Sequence, residues 1–224
     1  GGKKVATKQQ GQCVMPHDHQ HVLGNFYMAG ESEVGEAIES SMLVWNTWSK
    51  TSLKERTKIF RKAAELLQGP WRDTINAATM LNQSKNAFQA EIDAACELID
   101  FFNFNCQYAE DIHNNQPLIS PEGVKNSLEY RPLEGFVFAI TPFNFTSIAG
   151  NLPCAPALMG NVAIWKPASS AVLPCYYLME MLKEAGLPDG VINFLPGSGS
   201  KVGDQVLTNP NLSGVHFTGS TQTF

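Results

Sequence analysis

The sequence is short of cysteine and has none in C-x-x-C spacing. Its five cysteines, Cys13, Cys96, Cys106, Cys154 and Cys175, are odd in number and widely spread. That argues against a disulfide framework or a zinc ribbon and for a reducing intracellular compartment. Runs of Lys or Arg are also missing. With 16 basic against 21 acidic residues and a formal net charge of −5, the chain offers no phosphate-backbone footprint, which excludes nucleic acid as an expected partner. No apolar stretch approaches the roughly 20 residues of a membrane span. The opening "GGKKVATKQQGQ" lacks the apolar core of a signal peptide, the Arg-rich pattern of a transit peptide and an initiator Met. Processing or a cloning boundary accounts for such a start.

What is present suits a globular protein with a real core. The 224 residues are 43% hydrophobic and 17% charged, enough for one large domain or one and a half ordinary ones. Residues 1–30 read as an extended segment, irregular from 13 to 28. Helical periods follow across 31–125. Val34, Ala37, Ile38, Ser41, Trp45 and Trp48 share one face, and Ser52 to Glu55 ("SLKE") form a capping box that opens a helix ended by Gly69-Pro70. A long helix is predicted from about Ala87 to Glu110, and "HNNQPLISPEG" is a loop.

From residue 126 the texture changes. "SLEYRPL" reads as a strand. After it β and α patterns alternate: "GFVFAI", "SIAGNLPCAPALMG", "NVAIWKP", "VLPCYYLMEMLKEAG", "VINFLP", "SKVGDQVLT" and "GVHFTGS". Apolar strands joined through helices imply a parallel sheet covered on both faces. The expected fold is therefore α/β: a helical layer followed by a doubly wound parallel-sheet unit over 126–224. Such sheets bind ligands beyond the carboxyl ends of their strands, and those ends carry "TPFN", "KPASS", "PGSGS" and "TGST".

Each motif has a plain structural reading beside its chemical one. "PGSGSKVG" has Gly197, Gly199 and Gly203 in G-x-G-x-x-x-G spacing after a late strand, which departs from the standard dinucleotide fingerprint. Asn144 just beyond a buried strand could donate to an oxyanion or cap the next helix; the stretch alone leaves both open. Lys166 could reach cofactor hydroxyls or phosphate, but taken alone it reads as a surface lysine. His17, His19 and His21 alternate, yet no second cluster supports a metal site, and none is expected. "TGST" reads as a tight turn opening a helix whose N-terminus could cradle an anion. Glu97 sits at the edge of an apolar stripe through Ala94, Phe101 and Tyr108, and periodicity makes it a solvated boundary residue.

Together "ITPFNF", "APALMGNVAIWKPAS", "LKEAGLPDGVINFLPG" and "GVHFTGST" resemble, in order and spacing, the cofactor-binding half of the aldehyde dehydrogenase superfamily. "QAEIDAACELIDFFNFN", "EYRPLEGFVFAITPFNFTSIAGNLPCAPALMGN" and "MPHDHQHVLGNF" narrow the resemblance to its Δ1-pyrroline-5-carboxylate (glutamate γ-semialdehyde) dehydrogenase branch. The resemblance covers nearly the whole chain. It implies an NAD(P)-binding unit, with NAD expected and NADP possible, a small-molecule aldehyde substrate, and a homo-oligomer of two or more subunits. Bacterial cytoplasm or mitochondrial matrix is the implied location.

The resemblance also implies roles. Asn144 would help hold the oxyanion. Thr141 would contact the nicotinamide side of the cofactor, Lys166 and Ser169 its ribose, and Gly219, Ser220, Thr221, Gln222 and Thr223 its pyrophosphate. Phe145 would be one wall of an aromatic box and Glu97 would face the substrate's amino group. The family's "E-L-G-G-K" segment and its Gly-Gln-x-Cys nucleophile motif are absent; Gly11-Gln12-Cys13 lacks the intervening residue and lies at the wrong end. The expectation is a chain that stops before the catalytic domain and is inactive alone. Two other readings fit the residues: another aldehyde dehydrogenase, or a non-catalytic nucleotide-binding or assembly module.

Overall fold

The computed structural model describes residues 2–223. β1 (Gln10–Met15) and β2 (Asp18–Tyr27) form an antiparallel hairpin. Residues 13–28, expected to be extended and irregular, are extended and mostly paired, and the ladder shifts register between Cys13 and Val14 and between Val14 and Met15. Cys13 is its buried anchor.

α1 (Glu31–Trp48) buries Val34, Ala37, Ile38, Ser41 and Trp48, with Trp45 partly buried and bonded through Nε1 to the Leu133 carbonyl. α2 (Leu53–Gln68) begins at the Ser52–Glu55 capping box and stops at Gly69. α3 (Arg72–Gln83) was not legible. Its buried positions Ile75, Ala78, Thr79 and Asn82 have helical spacing, but two of the four are polar. It also lacks a side-chain N-cap and ends on Ser84 with φ 53° instead of on a glycine.

The predicted long helix is present but not uniform. α4 (Ala87–Ala90) runs into a π-helical segment, Glu91–Cys96, and then α5 (Glu97–Asn114). A π turn is wider than an α turn and shifts the phase of everything after it. The buried stripe therefore passes through Ala94, Ala95, Leu98, Phe102, Cys106 and Ala109, while Tyr108 is exposed.

The predicted strand at "SLEYRPL" does not form. Pro132 has no N–H to give a ladder, and the segment's amides go to side chains instead: Leu128 N–H to Gln116 Oε1 at 2.8 Å and Leu133 N–H to Asn161 Oδ1 at 2.9 Å.

The remaining elements match the alternating pattern: β3 (Phe136–Ile140), α6 (Thr146–Leu158), β4 (Val162–Lys166), α7 (Val172–Glu184), β5 (Ile192–Phe194), α8 (Gly199–Leu207) and β6 (Leu212–Phe217). The four strands pair in parallel in the order β5-β4-β3-β6. β3 and β4 are buried almost throughout, as strands covered on both faces must be. The chain steps one way from β3 to β5 and the other way from β5 to β6. Right-handed crossovers therefore put α6 and α8 on opposite faces. α1 packs on α8 and on β4, while α2, α5 and α7 pack behind α6.

α6 matters most for the site, because its N-terminal end carries the "TPFNF" turn. It contains Pro153 and Pro156. Pro156 cannot donate to the Leu152 carbonyl. His216 of β6 supplies the missing donor, Nδ1 to Leu152 O at 2.8 Å, which fixes its tautomer. At the other end of α6 the buried Arg56 donates Nε to Leu158 O at 2.7 Å, and Trp48 Nε1 reaches Ala157 O at 2.9 Å.

Candidate functional site

The strand register brings the four polar clusters to one edge. Ile140 lies between Lys166 on one side and Phe217 on the other, and Trp165 is opposite Phe194. The ladders continue past the strands through Thr141 N–H to Lys166 O, Thr218 N–H to Ile140 O and Leu195 N–H to Trp165 O. The direction of crossover reverses between β3 and β6, and that reversal is where an open α/β sheet leaves a crevice for a ligand. Thr141 to Asn144 stand on one side of it and Thr218 to Thr223 on the other.

Asn144 is exposed, and its side chain has no hydrogen-bond partner among the described residues. The N-cap of α6 is Phe145, and no side chain caps it. The capping alternative for Asn144 is thereby overturned: its amide is presented, not used by the fold.

Lys166 corrects the surface-lysine reading. It is buried, and Nζ donates only to the carbonyl of its neighbour Pro167, at 3.2 Å. Burial pushes its ammonium below the ordinary value. A buried cation with no carboxylate partner among the described residues is costly unless something polar arrives to meet it. Thr141 is also buried, and its Oγ1 accepts from Trp165 Nε1 at 3.0 Å. Ser169 is exposed at the start of a 3-10 turn and donates to Gly197 O at 3.4 Å, which ties the "KPASS" and "PGSGS" loops together. Gly199 opens α8 with open space where a Cβ would stand.

Gly219 to Thr223 are exposed. They form a turn closed by Thr223 N–H to Ser220 O at 3.0 Å and Ser220 Oγ to Thr223 Oγ1 at 2.8 Å. The helix expected to open there is a turn over the described residues. A Cβ on Gly219 would come within 2.6 Å of the Phe217 ring, so a larger residue there would have to push that ring aside.

Glu97 is half-buried, and Oε2 accepts from Ser147 Oγ at 2.7 Å. The solvated reading therefore fails. Ser147 is the second residue of α6, so Glu97 holds the turn that carries Asn144 and Phe145. Phe145 is partly buried beneath the Lys85 ammonium, 4.2 Å from its ring centroid. Sequence reasoning missed Lys85 because a single lysine at a helix junction carries no pattern.

The cysteines are equally informative. Burial pushes the Cys106 thiol up to about 11, and pushes Cys13, Cys154 and Cys175 up as well. Cys96 is also raised, by burial and by the nearby Glu91 carboxylate. None has the lowered pKa of an activated nucleophile. Among the described residues no group of three or more His, Cys, Asp or Glu side chains could hold a metal; His17 Nδ1 pairs with Ser84 Oγ at 2.7 Å.

The fit to a dinucleotide rests on observations within the fold: an unpaired buried cation at one strand end, a small-residue turn at another, and a helix N-terminus between them. Comparison with known proteins finds solved and curated relatives that match nearly the whole chain. A Δ1-pyrroline-5-carboxylate dehydrogenase of Mycobacterium tuberculosis, solved bound with NAD, superposes with a TM-score of 0.97 at 51% identity, over 99% of this chain and 42% of that one. A 1-pyrroline-5-carboxylate dehydrogenase from Thermus with bound NAD gives 0.89 at 30% identity, over 96% of this chain and 42% of that one. The mitochondrial Δ1-pyrroline-5-carboxylate dehydrogenase of Homo sapiens is 47% identical over all of this chain and 40% of its own length. The chain thus spans about 40% of the length of the curated relatives it matches. The aldehyde dehydrogenase family pattern matches residues 4–224, and the chain belongs to the aldehyde dehydrogenase family.

Proposed function

We propose that this chain is the NAD(P)-binding N-terminal portion of a 1-pyrroline-5-carboxylate dehydrogenase, which oxidises glutamate semialdehyde to glutamate in proline breakdown. The observation that carries the reading is the turn at the head of α6. It presents an unpartnered Asn144 amide while Ser147 ties it to the Glu97 carboxylate. An amide in that position can donate to a developing oxyanion, and a carboxylate beside it can pair with a substrate ammonium. Phe145, next to Asn144 in the same turn, would supply an apolar wall. Bound NAD would supply the hydride acceptor. Lys166 and Ser169 would hold its ribose, Thr141 its nicotinamide side, and the turn from Gly219 to Thr223, with Ser220, Thr221 and Gln222, its pyrophosphate.

The family's Gly-Gln-x-Cys and E-L-G-G-K motifs are absent from these residues, so in this reading the nucleophile and the base that activates water lie in the part of the relatives that this chain does not cover, and the chain alone would be inactive. Its three parts in this reading are the extended segment 1–30, the helical layer 31–125 and the cofactor unit 126–224. The enzyme would be a homo-oligomer; Leu118, Ile119, Val124, Leu128 and Leu133, all exposed on the unpaired segment, support that. No helix of the described residues is long and apolar enough to cross a membrane. Mitochondrial and bacterial relatives support matrix or cytoplasm.

The test of substrate class is Glu97→Gln in the full-length enzyme. KM for glutamate semialdehyde should rise more than KM for a simple aldehyde of equal length, because only the former carries an ammonium. Equal effects on both substrates would leave Glu97 with its Ser147 bond as its whole role.

Cofactor choice follows from Ser169. Its hydroxyl can bond a ribose but adds no negative charge to repel a 2′-phosphate, and Lys166 stands three residues away as a cation. Discrimination against NADP needs such a repulsive group. The enzyme should therefore prefer NAD yet use NADP measurably, and Ser169→Glu should sharpen NAD selectivity by about 1–2 kcal/mol. Ratios of kcat/KM for the two cofactors decide this; complete rejection of NADP by the wild type would contradict it.

A further inference from the structure

The turn that presents Asn144 is gripped from three sides, and one grip has no part in the chemistry described so far. Thr146 Oγ1 meets Thr79 Oγ1 at 2.8 Å and accepts from Gln83 Nε2 at 2.9 Å, both from α3. Ser147 is bonded to Glu97 of α5. Phe145 has no polar atom with which to be held, and it lies under the ammonium of Lys85. Lys85 is itself largely buried and paired with Asp93, which is also largely buried.

Asp93 belongs to the π-helical segment, and that segment is locked in turn. Arg72 of α3 grips Glu91 through Nε at 3.0 Å and through Nη2, and Asn76 Nδ2 bonds the same carboxylate at 2.6 Å. Irregular helical turns of this kind cluster at functional sites because they re-aim side chains. Here the turn aims Asp93 at Lys85 and delivers Glu97 to Ser147 one residue after it ends.

We propose that Lys85 is a positioning residue. Its ammonium, fixed by Asp93, stacks on Phe145 and thereby sets the turn in which Asn144 faces the reacting carbonyl. A cation over a ring face is directional enough to select one ring orientation. A salt bridge that is largely buried keeps the ammonium from swinging into solvent. The inference rests on the reading of Asn144 and Phe145 given above.

The experiment uses the full-length enzyme with 4-fluorophenylalanine at position 145, comparing wild type, Lys85→Met and Lys85→Arg. The methionine variant should shift and broaden the fluorine resonance. It should lower kcat for glutamate semialdehyde about ten- to hundredfold, the scale of a displaced catalytic group, with KM for NAD within about twofold. Arginine keeps a cation over the ring and should restore most of both signals. An unchanged resonance in Lys85→Met overturns the proposal, as does a shifted resonance with unchanged kcat. Loss of activity that tracks loss of melting temperature and is not restored by arginine also overturns it, leaving a structural ion pair. Failure of the wild type to oxidise glutamate semialdehyde would sink the substrate reading instead, and the resonance alone would then decide whether Lys85 holds Phe145.

Discussion

Replacing Asn144 by alanine in the full-length enzyme is expected to lower kcat by about 10²–10³, the usual effect of removing one oxyanion donor. KM for NAD should barely change, because the Asn144 amide is read as a donor to the reacting carbonyl, whereas Lys166 and Ser169 are read as holding the cofactor. Stability should also hold. The side chain is exposed, has no hydrogen bond among the described residues and does not cap α6, so the melting temperature should move by less than about 2 °C. A capping residue would show the reverse: a lower melting temperature and near-normal turnover of the folded enzyme. Steady-state kinetics and a melting curve on one preparation separate the two.

Lys166→Met should move stability and cofactor binding in opposite directions. The lysine is buried and meets only a backbone carbonyl, so its charge is an unpaired cost in the cofactor-free protein. A methionine of similar length fills the same space without that cost. The cofactor-free protein should gain about 1 kcal/mol, whereas KM for NAD should rise about tenfold or more, the loss of a charge-assisted hydrogen bond.

The contribution of Lys166 to the pH dependence has a definite sign. The folded pKa of Lys166 is depressed by burial. Between it and the unfolded value the unfolded chain therefore binds more protons, and stability rises with pH through that window. That contribution should be missing in Lys166→Met and is read as the difference between the two pH–stability profiles, because the raised cysteines contribute equally to both and with the opposite sign. A variant that loses both stability and cofactor affinity would show instead that Lys166 is a structural residue.

Much of this was legible before the structure. The strands and helices after residue 135 declare themselves because a parallel sheet needs continuous apolar strands, and because "TPFN", "KPASS", "PGSGS" and "TGST" break each one at its carboxyl end. What was hidden depends on partners that lie far away in sequence. α3 buries Thr79 and Asn82, whose polarity is satisfied by Thr146 and by the Val14 carbonyl, so the apolar stripe is half erased. The π turn leaves no compositional mark, yet it changes which residues of α5 face inward. "SLEYRPL" has a strand's composition, but a strand needs a neighbour, and its amides find Gln116 and Asn161 instead. Lys85 gains meaning only when Asp93 and Phe145 arrive beside it.

The most direct measurement is NADH formation from glutamate semialdehyde, followed side by side for the full-length enzyme and for this 224-residue chain. The full-length enzyme should produce NADH, and faster than from an unsubstituted aldehyde of equal length. The chain alone should produce none, since in the proposed reading Asn144, Glu97 and Lys166 would only bind and orient, and the family's Gly-Gln-x-Cys nucleophile motif is absent from these residues. NADH from the chain alone, or a full-length enzyme indifferent to glutamate semialdehyde, would contradict the assignment.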